Sequence, residues 1–130
     1  MSSNFCSEAY VALATSDLTR LVKFYAALLL QTPEPLIPEK YAEFKLAGLK
    51  LSLFQPRGTH QTEFAQPTKS PLSLCLEVND LDMAIAHFQA IGYPPSGDII
   101  AASHGREIYA YDPDGNRLIL HQRPAAQLSF

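Results

Sequence analysis

The chain repeats itself, and the repeat restricts its fold more than any other feature. A shift of 63 residues lays Val11-Ala12-Leu13-Ala14-Thr15-Ser16-Asp17-Leu18 on Leu74-Cys75-Leu76-Glu77-Val78-Asn79-Asp80-Leu81. The same shift keeps Val22 on Ile85, Tyr25 on Phe88 and Leu28 on Ile91. At a shift of 67, Gly48 falls on Gly115, and Leu51-Ser52-Leu53-Phe54-Gln55 on Leu118-Ile119-Leu120-His121-Gln122. Each half reads as strand, helix, then strands. A half of about 60 residues buries too little surface to be comfortable alone. The expectation is one domain over residues 1–130: a first module at about 8–56, a linker at 57–71, a second module at about 72–123 and a tail at 124–130. The fold class is α+β, with two paired βαβββ modules curling into an incomplete barrel around a cleft.

The local patterns follow that plan. Tyr10–Thr15 alternates as a strand, with Val11 and Leu13 on one face and Tyr10, Ala12 and Ala14 on the other. Ser16 or Asp17 caps a helix whose apolar stripe is Leu18, Leu21, Val22, Tyr25, Leu28 and Leu29, and Pro33 and Pro35 end it. A short edge strand at Leu36-Ile37 precedes a hairpin of Tyr41–Leu46 and Leu49–Gln55, turned at Ala47-Gly48. Leu49, Leu51 and Leu53 face its core; Lys50, Ser52 and Phe54 face the other way. Residues 56–71 are rich in Pro, Gly, Thr, Gln and Ser without a period, which reads as a linker. Phe64 within it either packs over a cleft edge or sits on a solvated loop.

In the second module Leu72–Val78 reads as a strand with Leu72, Leu74, Leu76 and Val78 on the core side and Ser73, Cys75 and Glu77 opposite. Asn79 or Asp80 caps the next helix, with Leu81, Ala84, Ile85, Phe88 and Ile91 on its stripe and Gly92 closing it. A short strand near Ile99–Ala101 and a turn at His104-Gly105 lead to a hairpin around Asp112-Pro113-Asp114-Gly115-Asn116. Pro113 presets φ at the second turn position, and Gly115 accepts the positive φ that closes a bulged turn. After it Leu118 and Leu120 point to the core, and Arg117, Ile119 and His121 point to the cleft.

Composition excludes several classes. The net charge of −3 and pI near 5.7, with ten Lys and Arg scattered singly, argue against a nucleic-acid partner. No apolar run is long enough to span a membrane, and no leader is visible. Cys6 and Cys75 lack metal or disulfide-framework spacing and read as free thiols in a reducing cytoplasm.

The ordered set of Asp17-Leu18 and Asp80-Leu81 opening amphipathic helices, Phe24-Tyr25 in the first helix, and Asp112-Pro113-Asp114-Gly115-Asn116 before the last strand resembles the vicinal oxygen chelate superfamily over roughly residues 8–123. That superfamily holds glyoxalase I, fosfomycin-resistance enzymes, extradiol dioxygenases and bleomycin-resistance proteins. The resemblance implies a divalent metal held by His, Gln or Glu on the first and last strands of each module. Carried over by position, the four ligand places are Tyr10, Ser73, Ser52 and Ile119. None is a usual ligand for such ions, so no metal ligand and no cofactor is expected.

The candidate ligand-binding cleft is Tyr10, Ala12, Lys50, Ser52, Phe54, Ser73, Cys75, Arg117, Ile119 and His121. Tyr10 and Phe54 offer flat apolar faces, and Lys50 and Arg117 either meet an anion or sit at strand ends in water. Cys75 is expected to be a buried, inert thiol, and no residue is assigned a catalytic role. The leading expectation is a metal-free, bleomycin-resistance-like protein that binds a small aromatic or amphipathic molecule, with a homodimer implied by the resemblance. The competing expectation is a metal-dependent lyase, isomerase or dioxygenase-type enzyme with a displaced metal site, for which His104, Glu107 and His121 are the conceivable ligands.

Overall fold

The computed structural model describes residues 5–125. The N-terminal residues 1–4 and most of the tail, 126–130, lie outside that range. The chain divides into two compact units at the boundary between Ala65 and Gln66, and each has the strand–helix–three-strand order that the repeat requires.

In the first unit, β1 (Val11–Ala14) leads into α1 (Leu18–Leu29), then β2 (Leu36–Ile37), β3 (Tyr41–Leu46) and β4 (Leu49–Phe54). The sheet order is β1-β4-β3-β2. The first strand therefore pairs in parallel with the last, Val11 opposite Leu51 and Leu13 opposite Leu53. A parallel pair needs a crossover, and α1 begins it. The second unit repeats the arrangement with β5 (Leu74–Glu77), α2 (Leu81–Ala90), β6 (Ile100–Ala102), β7 (Gly105–Tyr111) and β8 (Arg117–Gln122), ordered β5-β8-β7-β6. Neither four-stranded sheet closes on itself, and the class is α+β with two repeated modules.

Each helix covers one face of its own sheet. Leu18, Leu21, Phe24 and Tyr25 of α1 are buried, as are Ala42, Phe44, Leu51 and Leu53 of the sheet. The Tyr25 ring packs edge-on to Phe24 at 4.9 Å. In the second unit Leu81 and Phe88 of α2 are buried together with Ile108, Ala110, Leu118 and Leu120. Because side chains alternate along a strand, burial of Leu51 and Leu53, or of Leu118 and Leu120, turns Ser52 or Ile119 to the sheet face away from the helix.

The two helix starts are built alike. Asp17 Oδ1 accepts from Arg20 N at 3.1 Å, and Asp80 Oδ1 accepts from Met83 N at 3.0 Å. A second acceptor comes from the residue after each sheet's central run. Gln55 Oε1 accepts from Leu18 N at 2.9 Å, and Gln122 Oε1 accepts from Leu81 N at 2.7 Å. These satisfy early helix N–H groups that have no partner inside the helix. The Asp112 turn is held the same way, by its side chain: Oδ1 accepts from the N–H groups of Asp114 and Asn116 at 2.9 and 3.0 Å, and Oδ2 from Asn116 Nδ2 at 2.8 Å. Gly115 takes φ +89° there.

Some local expectations are corrected. The helix α1 stops before the prolines, at Leu30, which takes a left-handed conformation (φ 54°) and returns its N–H to Ala26 O. Phe24, absent from the expected stripe, is buried. Strand β5 begins at Leu74, and Leu72 is 79% exposed rather than core-facing. Residues 58–64 and 67–69 form 3-10 turns within the stretch read as irregular linker. Cys75 is exposed, not buried, because it lies on the open face of β5, at the edge of its sheet.

Replacing Gln122 by Ala leaves Leu81 N–H without its side-chain acceptor. Loss of such a cap destabilises by about 1–2 kcal/mol. Urea denaturation of the full chain should show that loss with an unchanged m-value.

Candidate functional site

The sheet face away from α1 carries five of the expected residues, Tyr10, Ala12, Lys50, Ser52 and Phe54. It also carries two that the sequence reading passed over. Strand register places Glu43 opposite Ser52 and Tyr41 opposite Phe54, so both share that face. The signal was available: folding the hairpin at Ala47-Gly48 gives this register directly.

These residues form a connected polar group. The Tyr41 hydroxyl donates to Glu43 Oε1 at 2.9 Å. With its one proton so committed, it accepts from Ser52 Oγ at 2.8 Å. Ser52 is only 1% exposed. Lys50 Nζ donates to Glu8 Oε1 at 3.0 Å and lies 3.7 Å from Glu43 Oε2. The same ammonium sits 4.9 Å from the centroid of the Tyr10 ring, a cation–π contact. Tyr10 is 51% exposed. Along the same face, the Phe54 ring meets Phe64 edge-on at 5.5 Å, so Phe64 packs one side against the sheet while remaining 44% exposed.

Two groups here titrate away from their ordinary values. Burial pushes the Tyr41 phenol up, and the Glu43 carboxylate adds to the rise, while the Ser52 hydrogen bond opposes it. The hydrogen bond to Glu8 raises Lys50, with the charge of Glu43 acting in the same direction.

The corresponding face of the second unit carries Ser73, Cys75, Arg117, Ile119 and His121. Parallel register sets Cys75 opposite Ile119 and Glu77 opposite His121. Antiparallel register adds Tyr109 opposite Ile119 and Glu107 opposite His121. Arg117 is already engaged: its Nε donates to Ser73 Oγ at 2.6 Å, and one terminal nitrogen reaches the carbonyls of Ser70 and Pro71 at 3.3 and 3.2 Å. His121 Nδ1 lies 2.7 Å from Glu77 Oε1, and its Nε2 lies 3.0 Å from His104 Nδ1.

The four places to which the resemblance assigns metal ligands do not suit a divalent cation. Ile119 has no donor atom. The Ser73 hydroxyl accepts from a guanidinium, a neighbour that repels a cation. Ser52 is buried and committed to Tyr41. Tyr10 has an ammonium over its ring.

Because a raised phenol value means that the folded state keeps a proton the unfolded chain has lost, Tyr41 contributes stability below the ordinary phenol range of about pH 10 and loses it as pH rises beyond. The Tyr41→Phe chain should lack this alkaline fall in stability. The difference between wild-type and Tyr41→Phe absorbance titrations at 295 nm should have its midpoint above pH 10.

Comparison with known proteins agrees with this architecture. The sequence profile of the Glyoxalase/Bleomycin resistance protein/Dioxygenase superfamily matches residues 9–120. No curated protein gives a significant match. Among solved structures, a protein of Agrobacterium tumefaciens is 26% identical, with 92% of this chain and 100% of that one covered and a TM-score of 0.73. A bleomycin resistance determinant encoded on the transposon Tn5 is 20% identical, with 91% and 98% covered and a TM-score of 0.65. The fosfomycin resistance protein of Listeria monocytogenes, complexed with Mn(II) and sulfate, is 18% identical, with 93% of each chain covered and a TM-score of 0.70. The profile match spans most of the sequence and the repeated βαβββ topology accompanies it: this chain belongs to the Glyoxalase/Bleomycin resistance protein/Dioxygenase superfamily.

Proposed function

We propose that this protein binds a small aromatic or amphipathic molecule against the open face of its first sheet, and that binding needs no metal at Tyr10, Ser52, Ser73 or Ile119. The observation that carries the reading is the half-exposed Tyr10 ring beside an internally satisfied polar group. With the Lys50 ammonium over it, the ring still keeps exposed aromatic surface for stacking. Lys50 is paired to Glu8 and Glu43, so the patch has no uncommitted positive charge to demand an anion. The Phe54–Phe64 pair supplies a second aromatic surface on the same face. A neutral or cationic aromatic ligand fits this chemistry better than a carboxylate. The bleomycin-resistance determinant among the structural neighbours is a precedent for the fold, not for the ligand. A homodimer and a cytoplasmic location belong to the same proposal. Among the described residues no helix is long and apolar enough to cross a membrane.

A metal-dependent lyase, isomerase or dioxygenase-type activity is the second reading. The observation in its favour is that His104, Glu107 and His121 come together on the second sheet.

Calorimetric titration with bleomycin and a panel of planar aromatic cations tests the first reading. At least one should bind, with the same affinity in EDTA. Tyr10→Ala should weaken that binding about tenfold, which is about 1.4 kcal/mol, without lowering the melting temperature. Binding that disappears in EDTA, or that is unchanged in Tyr10→Ala, overturns the proposal.

A further inference from the structure

We infer that His104, Glu107 and His121 form a divalent transition-metal site on the second sheet, away from the places where the superfamily resemblance puts an ion. The inference goes beyond the ligand-binding reading and does not rest on it. His121 lies two residues beyond Ile119 on β8, at the end of the strand that carries Gln122.

Three adjacent pieces of backbone bring the donors together. Glu107 on β7 is the register partner of His121 on β8. His104 sits in the tight turn between β6 and β7. Their ligand atoms all lie within 4.8 Å of one another. Gly105 makes the approach possible. It takes φ +132°, and a Cβ there would collide with the Gln122 carbonyl and stand 3.0 Å from His121 Nε2.

Hydrogen bonding fixes how His121 presents itself. The Glu77 carboxylate can only accept, so His121 Nδ1 must donate to it across their 2.7 Å contact. Glu77 is itself held by Arg123 N, which donates to its other oxygen at 2.8 Å. In the neutral ring Nε2 then carries a lone pair, and it points at His104 Nδ1, 3.0 Å away. Two imidazole nitrogens that close need a proton or a cation between them. Ligands about 2.1 Å from a shared ion stand about 3.0–3.4 Å apart, depending on geometry. A carboxylate on the far nitrogen of a ligating histidine is the usual support for such a ring. Small side-chain rotations of Glu107 and the exposed His104 would close the remaining distance. Two imidazoles and one carboxylate favour Zn(II), Ni(II) or Co(II) over Mg(II) or Ca(II). Three protein ligands leave at least one position open.

The test is a calorimetric titration of the full chain with Zn(II), and with Mg(II) for comparison. The Cys6→Ser/Cys75→Ser background removes competing exposed thiols. About one equivalent of Zn(II) should bind and Mg(II) should not. His104→Ala and Glu107→Gln, both accessible positions, should each weaken binding at least tenfold. Glu77→Gln should weaken it about 10–100-fold. His60→Ala, which alters a separate surface imidazole, should leave it unchanged. On zinc addition the ring nitrogen resonances of His104 and His121 should shift, and that of His60 should not. No zinc binding, binding that survives His104→Ala and Glu107→Gln, or unmoved ring resonances would overturn the site and leave the pair as a proton-sharing contact. Bleomycin or aromatic-cation binding in EDTA reads out the first sheet independently, so failure of either proposal is distinguishable from failure of the other.

Discussion

The parallel pairing of the first strand with the last strand of each unit is the constraint on which the rest depends. It forces a crossover, and the crossover must return the chain to the sheet with its helix on a fixed face. The glutamine after β4 and the last residue of β8 tie that geometry down. Gln55 and Gln122 each accept the first N–H of a helix that starts 41 or fewer residues away in sequence but beside them in space. The backbone closes the same corner: Thr15 N donates to Phe54 O at 2.9 Å, and Val78 N to His121 O at 2.8 Å. Helix start, first strand and last strand are therefore tied to one another at this corner. The side chains on the open sheet face inherit their positions from it.

The repeat leaves that open face free to diverge, because none of its side chains is needed to hold the helix. Ser52 and Ile119 are equivalent by the repeat, as are Phe54 and His121. In the first unit the serine is buried beneath Tyr41 and the phenylalanine faces Phe64. In the second unit the isoleucine adjoins an exposed thiol, and the histidine is clamped between Glu77 and His104. One scaffold thus presents an aromatic and phenolic surface in one copy and an imidazole–carboxylate cluster in the other.

Much of this was legible in the sequence. The repeat gave the element order, and alternation separated Leu51 and Leu53 from Ser52, and Leu118 and Leu120 from Ile119. Asp17 and Asp80 were readable as caps, since their acceptors sit before apolar stripes. What escaped was set by tertiary context. Leu72 has the right parity for the core, but β5 starts after it, so parity had nothing to act on. Cys75 is exposed because it lies on an edge strand, and strand order is not a local property. The end of α1 at Leu30 ran against the usual cost of a left-handed non-glycine residue, which made the prolines the better local stop signal. Tyr41 and Glu43 were missed for a different reason: the first hairpin's register was implicit in Ala47-Gly48 but was not followed across the strands.

Lys50 and Arg117 show why residue type and position together do not assign a role. They are equivalent by the repeat, both cationic, and both at the start of the last strand on the open face. Sequence offers each the same choice between an anionic ligand and water. Their surroundings decide otherwise. Lys50 is a compact charge, and two carboxylates and an aromatic face gather around it. Arg117 has a planar fork, and the fork spans a hydroxyl and the carbonyls that lead into β5. A lysine at 117 has three donors at a single point and could not bridge that spread. The first unit spends its cation on neutralising the surface around Tyr10. The second spends its cation on anchoring the segment that enters its first strand. The chemistry each sheet presents is therefore different in kind: a half-exposed aromatic ring in one, an imidazole–carboxylate cluster in the other.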